Sequence, residues 1–362
     1  HGREQLSERD VLVIDEAGLT GTRQMERVLS SARDAGAKVV LVGDPEQLQA
    51  IEAGAAFRSL TEAHGAVEIT EIRRQRDDWQ RGATRALATG RTGEAIHAYG
   101  ENGMVHSAET REDARAALIE GWNDACTSDP EKSRIILTHT NAEVRELNIA
   151  ARDKLRDQGE LGADVRVETE RGMRDFAIGD RMMFLRNERG LGVKNGTLGT
   201  VESVTHGHMA VRTDEGRSVS FDLKDYVHID HGYAATFHKS QGVTVDQAHI
   251  LATPGMDRHS AYVGLTRHRD EVQLHYGRDD FADQSASSGL GKLPVIWSPK
   301  RVIWSPILTE LKHCGVGSTR RWGANHQQRL APNKLRPRNK GRIAMQILPR
   351  PAFTPAWRNL AN

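Results

Sequence analysis

Residues 11–18 read VLVIDEAG: four apolar β-formers, two carboxylates, then Ala-Gly. An apolar run of this kind predicts a buried strand of a parallel sheet, and the carboxyl ends of such strands are where open α/β sheets meet their ligands. TGTRQMERVLSSARDAG follows as a helix ending at Gly36, and KVVLVGDPEQL (38–48) reads as a second buried strand running into a Gly-Asp-Pro turn. Two apolar strands separated by a helix indicate a parallel sheet covered on both faces. The phosphate-cradling loop that normally accompanies an acid-tipped strand, G-x-x-x-x-G-K-[ST], occurs nowhere in the 362 residues.

Outward from this unit, residues 76–128 read as helical, and SRIILTHTNAEVRELNIAAR (133–152) as a buried strand, a Thr-rich turn and a helix. Residues 165–230 change to short alternating runs with turn signals at Ile178-Gly179-Asp180, Asn195-Gly196, His206-Gly207 and Asp214-Glu215-Gly216, the pattern of a small antiparallel barrel or sandwich. GYAATFHKSQG and DQAHILAT then return to buried-strand style, so the β segment is an insertion within an α/β unit.

The net charge of +1 conceals two unlike regions. Residues 1–284 carry 36 Lys+Arg against 48 Asp+Glu, whereas 285–362 carry 14 against one, Glu310. That second region also holds eight of the 11 prolines, four of the six tryptophans and the repeat VIWSP at 295–299 and 302–306, and it reads as a disordered basic tail. No stretch approaches the roughly 20 apolar residues of a membrane span. Two distant cysteines, Cys126 and Cys314, point to a reducing cytoplasm.

Five strings carry candidate chemistry. Asp15 at a strand end can hold Mg²⁺, and Glu16 can polarise a water attacking a γ-phosphate. In GDPEQL (43–48), Asp44 can accept from a nucleotide-bound water and Gln47 can hydrogen-bond a γ-phosphate. ITEIRRQ (69–75) offers Arg73 and Arg74, and SAYVGLTRHRDEVQLHYG (260–277) offers Arg267 and Arg269, the side chain suited to bidentate phosphate recognition. GYAATFHKSQGVTVDQAHIL (232–251) packs Thr236, His238, Lys239, Ser240 and Gln241 ahead of Gly242, with Thr244 beyond; Gly242 and Thr244 are candidate nucleotide contacts. His228, His231 and His238 lack the spacing and partners of a zinc site. Each string alone also fits an ordinary strand end, turn or solvated helix face.

Their order distinguishes them. DEAG, GDPEQLQAI, RRQ, ILTHTN, HKSQGVTVD and YVGLTRHR follow one another as do the motifs of superfamily 1 helicases of the RecD-like branch, and residues 1 to about 281 resemble the helicase part of Ti-type conjugative-transfer relaxases. The resemblance implies an α/β fold of P-loop NTPase (RecA-like) motor domains with parallel sheets, plus a small SH3-like β-barrel insertion. It places part of a first motor domain at 1–75, a second at 76–164 and 231–284, the barrel at 165–230 and the tail at 285–362. It implies ATP and Mg²⁺ as cofactors, with Asp15 as the metal ligand, and Asp15, Glu16, Gln47, Arg74 and Arg267 as the catalytic set. Thr138, Thr140, Asn141, Thr236, His238 and Lys239 would contact single-stranded or plasmid DNA, and the conjugation machinery would be a partner. The family's phosphate loop lies several dozen residues ahead of the DEAG strand, whereas this chain begins 14 residues ahead of Asp15. The expectation is therefore a helicase fragment that is inactive as written, with an unpaired edge in its first sheet, or a non-enzymatic DNA-binding remnant.

Overall fold

The computed structural model describes residues 6–48, 56–69 and 71–281, and beyond them the backbone of three short strands. The first parallel pair is β1 (Val11–Ile14) with β2 (Lys38–Gly43), in register Val11↔Lys38 to Ile14↔Leu41. Two helices, α1 (Thr22–Asp34) and α2 (Ala56–His64), complete this unit. Met25, Leu29, Phe57 and Leu60 from the helices meet Val39 and Leu41 from β2 in one buried cluster, against which Leu12 and Ile14 of β1 pack.

The opposite face departs from the expectation of a sheet covered on both sides. Val11 and Val13 are 55% and 59% exposed, as are Val67 (62%) and Ile69 (50%) on the short strand β3 (Val67–Ile69). Among the described residues, α1 and α2 pack on the same side of the sheet, and β1 is an edge strand. Apolar runs on an edge strand look, in sequence, like those of a central one.

The edge of β2 away from β1 is paired. A strand from the basic region, Ile343–Leu348, lies antiparallel to both β2 and β3, with Gln346 opposite Leu41 and Ala344 opposite Glu68. Apart from this strand and a two-residue hairpin at Trp297–Ser298 and Arg301–Val302, the expectation of a disordered tail lies outside the described residues.

The second sheet is parallel throughout and is covered on both faces. It is built from β4 (Val105–Ala108), β5 (Arg134–Thr138), β13 (Ala234–Thr236), β14 (Val245–Leu251) and β15 (His268–Gly277), in the order β13-β5-β14-β15-β4. Alternate residues of β5 face opposite ways. Ile136 joins Leu118, Trp122 and Leu147 of α5 (Arg111–Ser128) and α6 (Asn141–Asp157). Ile135 and Leu137 join Leu87, Tyr99 and Leu265 of α3 (Asp78–Ala88), α4 (Thr92–Glu101) and α7 (Arg258–Leu265). The sequence reads as helical across 76–128; β4 lies within that stretch, unforeseen because Val105–Ala108 (VHSA) carries no strand periodicity and pairs with the distant β15.

Between α6 and β13 the chain forms the antiparallel segment that the turn signals predict. β6 (Val165–Thr169) and β7 (Gly172–Phe176) make a hairpin. β8 (Arg181–Phe184), β9 (Leu198–Val204), β10 (His208–Thr213), β11 (Ser218–Asp222) and β12 (Ile229–His231) make a sheet in the order β11-β10-β9-β8-β12. Phe176, Phe184, Met209 and Phe221 fill its core. Gly179 precedes β8 with φ 93°, and a side chain there would come within 2.7 Å of the Glu160 carbonyl oxygen, so the tight entry needs glycine.

The segment is anchored to the second parallel unit by a buried charge cluster. Asp180 is fully buried and accepts from the Arg152 guanidinium at 2.9–3.1 Å, from the Tyr233 hydroxyl at 2.6 Å and from the Ala177 amide at 2.6 Å. Asp164 also receives Arg152 and Arg156, which hold its carboxyl down at about 2. Removing one member of such a cluster leaves uncompensated buried charge, which typically costs about 3–5 kcal/mol. Asp180→Ala is therefore expected to lower the free energy of unfolding in urea by about 3 kcal/mol or more; a loss below about 1 kcal/mol, the size of a surface pair, would contradict this role.

Candidate active site between the two parallel sheets

The turn after β1 carries the first acidic pair. Glu16 has φ 50° and ψ 43°, and no other non-glycine among the described residues has positive φ. A left-handed glutamate costs on the order of 1 kcal/mol and persists only where surrounding structure imposes it. Gly43, at the end of β2, supplies that structure: a Cβ there would lie 3.1 Å from the Ala17 amide nitrogen and 3.2 Å from the Phe57 ring. The Glu16 amide donates to Asp15 Oδ1 at 2.9 Å, and Asp15 stands exposed at the strand end.

The second acidic element is the turn after β2. Asp44 is 4% exposed and accepts from the Glu46 amide (2.9 Å), Gln47 Nε2 (3.3 Å) and the Tyr262 hydroxyl (2.7 Å). Tyr262 lies on α7, so this bond joins the two parallel units. The same turn makes further cross-links: Glu46 pairs with Arg258 at 3.3 Å, His259 Nδ1 lies 2.6 Å from the Glu46 carbonyl, and Gln241 Nε2 donates to the Leu48 carbonyl at 3.2 Å.

The arginines approach from the other wall. Arg74 donates to the Thr266 carbonyl at 2.7 Å, and Gln75 donates to the Thr266 and His268 carbonyls at 3.2 and 3.1 Å, which locks RRQ onto the start of β15. Arg267 is 2% exposed; its Nε donates to the Val263 carbonyl at 2.9 Å and its Nη2 to Thr266 Oγ1 at 3.2 Å. Arg73 does not join them: it pairs with Glu71 on the surface. Arg269 pairs with Asp246.

Electrostatics bind these groups into one site. Burial holds the Glu16 carboxyl above its ordinary value; the Asp15 and Asp44 carboxylates add to the rise, and Arg267 and Arg74 oppose it. Burial likewise lifts Asp44. Arg74 is lowered by burial, with Glu16 among the groups opposing the shift. Arg267 is pushed down to about 9, by burial first and by the Arg74 cation second. Two desolvated guanidiniums in each other's field favour an anion that both can bond, and two carboxylates opposite them favour a cation between anion and acid. The residues present thus fit a magnesium-bound phosphate.

The DNA candidates cluster where β5 and β13 end side by side, with Thr236 in register with Thr138. Thr140 caps α6 through a capping box: its hydroxyl accepts from the Glu143 amide at 3.2 Å while the Glu143 carboxylate accepts from the Thr140 amide at 3.0 Å. Two expected surface contacts are not on the surface. Thr138 is fully buried and its hydroxyl donates to Glu143 at 2.8 Å; Thr236 is 7% exposed and its carbonyl accepts from the Lys239 and Ser240 amides. Both support the turns that present Thr140, Asn141 and His238, which are exposed, and the half-buried Lys239. Burial, then the neighbouring Arg171 cation, lowers the Lys239 ammonium. Gly242 (φ 76°) and Thr244 lie in the loop leading to β14, alongside Gln241. The antiparallel segment reaches this loop, since a Cβ at Gly196 would sit 3.3 Å from the Lys239 carbonyl oxygen.

Tyr262 is the functional neighbour that sequence reasoning missed. It opens the string YVGLTRHR, on α7 and one turn ahead of the capping residue Thr266, but nothing local reveals that its hydroxyl crosses to Asp44.

The chain has recognisable relatives among known proteins. The profile of the family described as "AAA domain" matches residues 1–110. The RecBCD enzyme subunit RecD of Mycolicibacterium smegmatis is 28% identical over 300 residues, covering 76% of this chain and 51% of that protein. The crystal structure of Bacteroides Pif1 bound to ssDNA has the same fold at 20% identity, with a TM-score of 0.51 over 73% of this chain and 70% of that one. Its more distant homologues are RecD and Pif1 superfamily 1 helicases, and its own fold is mixed α/β with a parallel sheet.

Its conjugal-transfer relatives are TraA proteins. The TraA of Agrobacterium fabrum (strain C58) is 44% identical over 295 residues, 81% of this chain and 26% of that protein. The probable TraA of Sinorhizobium fredii (strain NGR234) is 43% identical over 284 residues, 78% and 26% of the respective chains. The chain spans about a quarter of the length of these relatives. No helix among the described residues is long and apolar enough to cross a membrane.

Two outcomes test the site. Tyr262→Phe removes one hydrogen bond to a buried carboxylate and is expected to cost about 1–2 kcal/mol in urea unfolding; no change would show that the contact carries nothing. Glu16 has a folded pKa above its unfolded value, so the folded state holds the proton more tightly and Glu16's contribution is lost as pH rises through the folded value. Relative to the parent, Glu16→Gln should therefore gain stability as pH rises through that range; a difference that stays flat or moves the other way would contradict the environment described.

Proposed function

We propose that the chain forms the magnesium and arginine-finger portions of an ATP-driven motor that moves on single-stranded DNA within a conjugative-transfer helicase. The observation that carries this reading is the meeting of Glu16, Asp44, Arg74 and Arg267 in one electrostatic neighbourhood contributed by two parallel sheets. In this reading residues 1–75 belong to a first RecA-like motor domain, 76–164 and 231–284 to a second, and 165–230 to an SH3-like barrel. Asp15 holds the magnesium, which when bound supplies positive charge to the phosphate oxygens. Glu16 accepts a proton from the attacking water, its raised pKa keeping it a usable base, and Gln47 orients that water. Arg74 and Arg267 bond the γ-phosphate oxygens as charge develops, and Gly242 and Thr244 line the nucleotide's side of the cleft.

DNA movement follows from the cross-links. Closing the cleft tightens the Asp44–Tyr262 and Glu46–Arg258 contacts, opening it loosens them, and Thr140, Asn141, His238 and Lys239 ride on the second unit. The local groove, rather than the acidic body, supplies the grip on plasmid DNA. The conjugation machinery is the proposed setting, in the cytoplasm.

None of the 362 residues forms the phosphate-cradling loop, so turnover by this chain alone is expected to be negligible. That sequence fact also favours the second reading, a DNA-binding module without catalysis. ATP hydrolysis with and without single-stranded DNA separates them. DNA-stimulated turnover that Glu16→Gln abolishes would overturn the expectation of inactivity and establish the motor. Single-strand affinity unchanged by His238→Ala combined with Thr140→Ala would remove the DNA assignment from both readings.

A further inference from the structure

Away from the nucleotide cleft, a cavity of about 510 Å³ lies between α5 and the sheet strands β4, β14 and β15. Its floor is polar, which is unusual for the covered face of a parallel sheet. Alternate residues point the same way from a strand, and here they are His249 on β14 and Glu271, Gln273 and His275 on β15, with His106 from β4 beside them. Its roof is small: Ala117, Gly121 and Ala125, four residues apart, form one face of α5.

The chemistry of the lining selects a ligand class. His249 is 3% exposed with neither ring nitrogen bonded, and His275 is 5% exposed with Nδ1 unbonded, among the described residues. Burial pushes both imidazoles down to about 3, so they are neutral at neutral pH and each offers a lone pair. His106 Nε2 lies 2.5 Å from Gln273 Oε1, while the Gln273 amide group donates to Glu271. Gln273 Oε1 can only accept, so the proton sits on His106 Nε2 and His106 Nδ1 is a further acceptor.

Carboxylates complete the lining. Glu120 is paired with Lys154 at 2.6 Å, whereas Asp124 has no ion pair among the described residues. Lone pairs and carboxylates disfavour an anion. A single metal ion is disfavoured by geometry: the His106 and His275 rings are stacked, 4.6 Å apart at 27°, so their in-plane lone pairs run nearly parallel and do not converge. No group of three His, Cys, Asp or Glu among the described residues is arranged to hold a metal.

We propose that this cavity is a binding site for a small organic cation carrying ammonium groups, which donates to the histidine nitrogens and pairs with Asp124. It is independent of the nucleotide reading. The nearby Arg134 guanidinium donates to Gln247 Oε1 at 2.9 Å and to the Asp129 carbonyl at 2.5 Å, and its charge adds to the lowering of His249, so the ligand's ammonium groups lie toward Asp124 and His106.

The test uses spermidine as the probe, with calorimetry for affinity and histidine side-chain NMR for location. Inorganic phosphate and Ni²⁺ serve as the anion and metal arms. The expected result is saturable spermidine binding that shifts the His249 and His106 resonances. Asp124→Asn should weaken it about tenfold or more, the worth of one charge-assisted hydrogen bond. Gly121→Leu should abolish it by filling the cavity while the chain stays folded, because a Cβ at Gly121 meets nothing within 4 Å. Binding untouched by both substitutions would mark diffuse attraction to an acidic surface and overturn the proposal. Absence of histidine shifts, or saturable binding of phosphate or Ni²⁺ in place of spermidine, would overturn it equally.

Discussion

The 2.7 Å hydrogen bond from the half-buried Tyr262 to the buried Asp44 carboxylate is the contact through which the two parallel units make one site. Without it the Asp15–Glu16 turn and the Arg267 guanidinium belong to separate sheets. The bonds around it run the same way: Arg258 to Glu46, Gln241 to the Leu48 carbonyl, and Arg74 and Gln75 to the Thr266 carbonyl. Most of them end on backbone carbonyls or on a turn, so they fix where the walls stand.

The site is electrostatically unfinished in a way that structural ion pairs are not. Asp180 and Arg152 satisfy each other at close range, and Asp164 is driven to about 2 by its arginines. Glu16 and Arg267 shift toward neutrality instead, the carboxyl up and the guanidinium down to about 9, because burial outweighs their partners. Groups held in that condition, on a backbone as constrained as Glu16's, are what a site built to receive charge looks like.

Much of this was legible in sequence. The strings DEAG, GDPEQL, RRQ, HKSQG and GLTRHR place their side chains through local chemistry, at strand ends and turns, and their order identified the family. Asn195-Gly196 and its companion turns likewise marked the antiparallel segment, since turn residues act within a few positions. What stayed hidden depends on contacts far apart in the chain. Val11 and Val13 are exposed because α1 and α2 share the other face of the sheet; Val105–Ala108 becomes a strand only beside β15. Thr138 and Thr236 look like surface hydroxyls until Glu143 and the Lys239 turn are seen to bury them. Tyr262 heads the string YVGLTRHR, yet nothing there shows its bond to Asp44, 218 residues away, and the histidine floor under α5 carries no motif at all.

The central claim is that one nucleotide site spans both parallel sheets. Hydrogen–deuterium exchange with and without Mg²⁺ and a saturating non-hydrolysable ATP analogue tests it most directly. The account predicts joint protection of the Glu16–Leu19 turn, the Asp44–Leu48 turn and the Thr266–His268 segment at the start of β15. Protection confined to one wall, or to none of the three, would contradict it.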